Sequence, residues 1–223
     1  MSRAAPTENR QLVNRTYGVF GSLIAVWILA WMLKVYVVDP RVAWITTSVG
    51  SFTYWTIAKV FIWIVPALWL IRIARRSLRE VFNVSNWRSW LAWGGGVGFL
   101  IAMTGFLESY FGGQPLLPTE FSIPLFSVLA VAPTFEEFLI RGAVLGNLQQ
   151  HYPFWAANLA SSLMFVLLHL PGWYFMGTLM ENVSKPVGGA LSIWLLGLAF
   201  GYATNRSRSV IAGMLGHFLN NLA

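Results

Sequence analysis

The sequence predicts an all-α, polytopic transmembrane helical bundle of about seven spans, and three observations carry that expectation. The 223 residues are 57% hydrophobic and only 10% charged, with a mean hydropathy of +0.61, far less charge than a soluble domain of this size carries. Apolar runs recur along the whole length, and several reach the about 20 residues that a helix rising about 1.5 Å per residue needs to cross a hydrocarbon core of about 30 Å. Tryptophan and tyrosine gather near the ends of these runs, as they do at membrane interfaces.

The predicted spans are 17–38, 52–71, 89–107, 121–148, 154–170, 187–204 and a short one at 209–221. Residues 1–16 are polar and lack the pattern of a cleavable signal, so the first run is expected to stay as a span behind a cytoplasmic N-terminal segment. No soluble domain, internal repeat or low-complexity linker interrupts the series, so 1–223 reads as one integral membrane domain. Lys34 and Lys59 read as side chains that snorkel to the interface. Trp55, Trp87, Trp90, Trp155 and Trp173 read as an interfacial belt.

Basic residues set the expected orientation. Arg3, Arg10 and Arg15, then Arg72, Arg75, Arg76, Arg79 and Arg88, then Arg206 and Arg208 all fall on one side of the spans. The other side has Arg41 and Lys185 among Asp39, Glu108, Glu120 and Glu181. The positive-inside bias puts the N-terminus in the cytoplasm. The net charge of +7 then belongs to loops lying against anionic headgroups, and "RIARRSLR" reads as a short interfacial loop with no nucleic acid as partner. Without cysteine there is no thiol chemistry and no disulfide.

The stretch "PTFEEFLIRG" breaks the pattern, placing Glu136, Glu137 and Arg141 in apolar surroundings. A charge at a helix centre costs roughly 2.5 to 3.5 kcal/mol on the mild insertion scale, so these groups must be paired or functional. Glu137 and Arg141 are four apart in the favourable acid-before-base order, and can pair. Glu136 points about 100° away, at about 3.6 residues per turn, and is left free for other work. Pro133, with Thr134 and Glu137 spaced as a capping box, signals a helix start that puts both carboxylates at a positive dipole end. The alternative is that Pro133 merely kinks one long helix.

Two further polar clusters lie in apolar segments. "FVLLH" sets Phe165 and His169 on one helical face, and "HFLNN" does the same for His217 and Asn221. His151, in "QQHYP", reads as solvent-exposed. Singly, each cluster is equally well explained as structural glue. Together, a free carboxylate, two imidazoles and a carboxamide on separate helices suggest a converging site.

"EEFLIR", "FVLLH" and "HFLNN" resemble, in order, the EExxxR, FxxxH and HxxxN motifs of the CAAX protease and bacteriocin-processing family, also called CPBP or Abi, whose eukaryotic member is the Ras-converting endopeptidase. The motif-bearing core, 121–221, covers nearly half the chain. The resemblance implies a CAAX-protease-like core and an intramembrane endopeptidase of the glutamate type. Glu136 would activate water and His169 would hold and polarise it. His217 and Asn221 would stabilise the oxyanion, with Glu137, Arg141 and Phe165 in support. Substrates would be membrane-anchored or lipidated peptides. No cofactor is expected; a zinc ion on Glu136, His169 and His217 is the alternative, disfavoured because HExxH is absent and Asn221 is a poor zinc ligand.

Two other functions fit the same residues. One is a proteolytically inactive scaffold or accessory subunit of a membrane complex. The other is a proton-coupled transporter relaying through Glu136 and the histidines, against which stands the absence of repeat symmetry.

Overall fold

The computed structural model describes residues 6–223; Arg3, used above for orientation, lies outside them. Among the described residues there are helices and no strands. Five helices among the described residues are long and apolar enough to cross a membrane: α1 (Glu8–Val38), α2 (Ser48–Ile73), α3 (Trp87–Phe111), α4 (Ile123–Leu148) and α5 (Phe154–Phe175). Two shorter helices follow at the last two expected positions, α6 (Ala190–Ser207) and α7 (Val210–Leu222). Leu29, Phe61, Leu100 and Leu163 are all more than half exposed, as side chains facing acyl tails would be.

α4 is the central post. Every residue from Phe138 to Leu145 is buried, which fits a helix apolar around its whole circumference. The buried amide of Asn147 ties α4 to its neighbours, donating to the Leu70 carbonyl at 3.1 Å and to Thr16 Oγ1 at 3.3 Å. α7 is too short to stand alone, and α3 supports it. A Cβ on Gly94 would lie 2.6 Å from the Ala212 carbonyl, and one on Gly98 would lie 2.8 Å from Gly216 Cα. Only glycine lets the two backbones approach so closely, the usual way helices associate where no hydrophobic effect drives them together.

Pro133 does not start a helix. α4 runs through it as one long helix, and the capping box at Thr134 does not form. Instead a π-helical turn at Ser127–Val131 immediately precedes Pro133, and another at Val60–Ile64 precedes Pro66 in α2. Each proline clashes with the carbonyl four residues back and cannot donate to it, and a wide turn moves that carbonyl aside. A capping box does form elsewhere, between Ser77 and Glu80. α5 also continues through Pro171 to Phe175, beyond its expected end.

Candidate active site

Glu137 is the hub of the buried polar network. It is fully buried, and its Oε2 lies 3.2 Å from Arg141 Nε while its Oε1 accepts from Arg141 Nη1 at 3.4 Å. The third arm of the guanidinium donates to the Gly197 carbonyl of α6 at 2.8 Å, and the Phe165 ring covers its face at 4.5 Å. Such a fork meets a buried carboxylate and a carbonyl at once, which a point ammonium could not do in the same geometry. His217, on α7, stacks on Phe200 and places Nδ1 3.1 Å from Glu137 Oε1. Because a carboxylate only accepts, Nδ1 carries the proton.

Glu136 faces the other way, toward α2 and α5. Its Oε2 stands 4.0 Å from His169 Nε2. His169 Nδ1 is 2.9 Å from the Phe165 carbonyl, so Nδ1 is again the donor and Nε2 of the neutral ring presents a lone pair toward Glu136. The Phe165 ring packs edge-on to both imidazoles, with centroids 5.0 Å from His169 and 5.9 Å from His217. One aromatic residue thus spaces three polar groups.

Glu136 is not free of charge partners, as the sequence suggested. Lys59 of α2 brings Nζ to 3.6 Å from Glu136 Oε1 and 4.7 Å from the centre of the Trp63 ring. Lys59 therefore does not snorkel, and it is a site residue that sequence reasoning missed. The signal was its depth: seven residues inside 52–71, about 10 Å from the run's end at about 1.5 Å per residue, which is too far for a lysine stem to bridge. Lys34 is also mostly buried, with Nζ 2.6 Å from Asp39. Trp55 and Trp173 leave the belt as well. Trp55 joins Trp27, Trp31 and Trp63 in a cluster behind Lys59, and Trp173 is buried beside His169. Trp87 and Trp155 remain exposed.

Asn221 lies one turn beyond His217 and is held against α4. Its Nδ2 donates to the Val128 carbonyl at 2.9 Å, and its Oδ1 accepts from Asn220 at 3.0 Å. It makes no hydrogen bond to Glu136, His169 or His217, and one amide hydrogen is left for other use. The metal alternative fits poorly. Among the described residues no three acidic or histidine side chains are grouped as a metal site. His217 turns to Glu137, and the Lys59 ammonium stands beside Glu136 where a second cation would be repelled.

Fold and site together define a polytopic helical membrane protein with a buried glutamate–histidine cluster shared by three helices, α4, α5 and α7. Residues 118–223 match the model of a family described as Rce1-like, type II CAAX prenyl endopeptidase. This part of the chain, which carries all three motifs, is thus similar to the CAAX protease and bacteriocin-processing family, a family of membrane-embedded proteases. No curated protein and no solved structure matches the chain.

Proposed function

We propose that the protein is a metal-free intramembrane endopeptidase of the glutamate type, with 121–221 as its catalytic core. The observation that carries the reading is the pair of acceptors formed by Glu136 Oε2 and His169 Nε2, 4.0 Å apart. That gap is too long for a direct hydrogen bond and short enough for one water to bridge. A water donating one hydrogen to each acceptor turns its lone pair outward, toward a peptide carbonyl. Glu136 takes the water proton as the oxygen–carbon bond forms, then passes it to the leaving amine as the carbon–nitrogen bond breaks. The oxyanion is met by the free amide hydrogen of Asn221 and by Nε2 of His217, which donates only when that ring is protonated on both nitrogens. Glu137 and Arg141 position the helix and His217.

The substrates are membrane-anchored or lipidated peptides held in the bilayer. The N-terminus is cytoplasmic. Supporting that orientation, Arg15, Arg75, Arg76, Arg79 and Arg208 line a single cavity at one end of the bundle, the expected clustering for a cytoplasmic face.

The test compares membranes carrying wild-type protein or Glu136→Gln, with new peptide termini mapped by mass spectrometry. The glutamine still accepts a hydrogen bond from Lys59 but cannot take a proton, so termini made by the wild type vanish at unchanged protein level. Identical termini in both would overturn the proposal. One observation favours a second reading, a proteolytically inactive accessory subunit of a membrane complex: the Lys59 ammonium competes for the lone pairs of Glu136. In that case the deletion phenotype is rescued by Glu136→Gln.

A further inference from the structure

A large cavity lies at the end of the bundle where α1, the α2–α3 connection and the α6–α7 connection meet; it shares Arg141 with the buried polar network but is lined by none of Glu136, Glu137, His169 and His217. It is an open bowl of about 1940 Å³ whose wall carries Arg15, Arg75, Arg76, Arg79 and Arg208. The acidic side chains on its wall are Glu8 and Glu80, and Glu80 Oε2 is committed to the Ser77 backbone N–H at 2.8 Å. Among the described residues none of the five arginines makes an ion pair. Helix C-termini attract arginines, which accounts for one or two of them near the ends of α2 and α6. It does not account for five arginines lining one concavity beside only two carboxylates, where like charges repel one another.

Two features show that the chain is shaped to hold these arginines in place. Arg76 is drawn inward: its Nη1 donates to the Gly142 carbonyl at 2.8 Å, and its guanidinium occupies the space that a Cβ on Gly146 would fill. Burial lowers the Arg76 pKa from its ordinary value, Glu80 opposing the shift, as expected of a cation lacking solvent or a partner anion. Secondly, Arg75, Asn83 and Arg208 are the only non-glycine residues with left-handed backbone among the described residues, at φ of 56°, 39° and 55°, and all three line this bowl. Glycine or asparagine is the ordinary residue for such a position. Arginine at two of the three is explained by a use for the side chain, because backbone strain of this kind collects where ligands are clamped.

From this convergence we infer a binding site for a phosphate-bearing anion. Guanidinium forks match phosphate oxygens in pairs. The anion can be the headgroup of an anionic phospholipid in the adjacent leaflet or a free phosphate compound. Its floor includes Arg141 and Gly142, so an occupant rests on α4 and adds to the stability of the folded chain. The inference is independent of proteolysis.

Thermal unfolding of the full-length protein in neutral detergent tests it. One arm adds phosphatidylglycerol, with phosphatidylcholine as control; the other adds inorganic pyrophosphate, with sodium chloride at matched ionic strength as control. Stabilisation by phosphatidylglycerol alone assigns a lipid headgroup, and stabilisation by pyrophosphate assigns a soluble phosphate. Arg75→Gly and Arg208→Gly relieve left-handed backbone, so without anion they unfold no lower than wild type, yet each binds the anion roughly tenfold more weakly. Arg79→Gln loses affinity similarly without any backbone change. The inference is overturned if neither anion exceeds its control, or if all three variants respond as wild type does.

Discussion

Replacing Lys59 by methionine removes a charge while keeping the stem length, and the contact geometry fixes what should follow. At 3.6 Å between Nζ and Glu136 Oε1, Coulomb's law with an effective dielectric of about 20 gives about 4.6 kcal/mol of attraction. The two side chains are 16% and 9% exposed, so water and relaxation recover part of it; breaking a buried pair by removing one partner costs about 3–5 kcal/mol. The same substitution also loses the contact of Lys59 with Trp63, so a single variant cannot isolate the pair. A double-mutant cycle can, since the Trp63 contribution cancels. For a chain of this size about 2–4 °C of unfolding temperature corresponds to each kcal/mol. Thermal unfolding should therefore fall by on the order of 10 °C for Lys59→Met in the wild type. The fall should be much smaller when Lys59→Met is made in Glu136→Gln. Lys59→Arg, which keeps the charge, should retain most of the coupling. An equal fall in both backgrounds would refute the argument and return Lys59 to a packing role. The assay needs no substrate, so it stands whether or not the protein cleaves peptides.

Two other substitutions follow from the same structure. Arg141→Lys should destabilise by about 3–5 kcal/mol, because one ammonium cannot replace three guanidinium arms spent on Glu137 and the Gly197 carbonyl; folded yield in detergent measures it, and near-wild-type yield would show that charge alone suffices. Gly98→Leu should displace α7 from α3, since even a Cβ would meet Gly216 Cα at 2.8 Å, at a cost of about 1–3 kcal/mol or more. A Cβ at Gly96 on the same helix meets nothing within 4 Å, so Gly96→Leu is the control; equal thermal shifts for the two would contradict the packing assigned to α7.

Much of the fold was legible because bilayer thickness imposes a length that composition reveals, and all seven expected runs contain helices. The division between Glu136 and Glu137 was legible too, since adjacent residues on a helix diverge by about 100°. Glu137 indeed turns to Arg141 and His217, and Glu136 to His169 and Lys59. What the sequence concealed were properties of pairs distant along the chain. That Lys59 meets Glu136 depends on how α2 packs against α4, and no local periodicity encodes that crossing. That Pro133 stays within a helix depends on a wide turn upstream, which has no residue signature of its own. The contacts of Asn221 with Val128 and Asn220 were not legible either, because a carboxamide offers four hydrogen-bonding sites and spacing cannot say which neighbour claims them.

On the proposed reading, the position of Lys59 bears on how the cluster would be kept ready. A lone carboxylate in a bundle interior is driven to take up a proton, which disables it as a base. A tightly bound arginine, as on Glu137, would keep it ionised but engage both oxygens. An ammonium at 3.6 Å on one oxygen, itself held by the Trp63 face, does something intermediate. It contacts one carboxylate oxygen and leaves Oε2 turned to His169. The two adjacent glutamates thus have different cations: a guanidinium fork reaching both oxygens of Glu137, and a single ammonium beside one oxygen of Glu136; in the proposed protease the first would hold a carboxylate still and the second would leave an oxygen available.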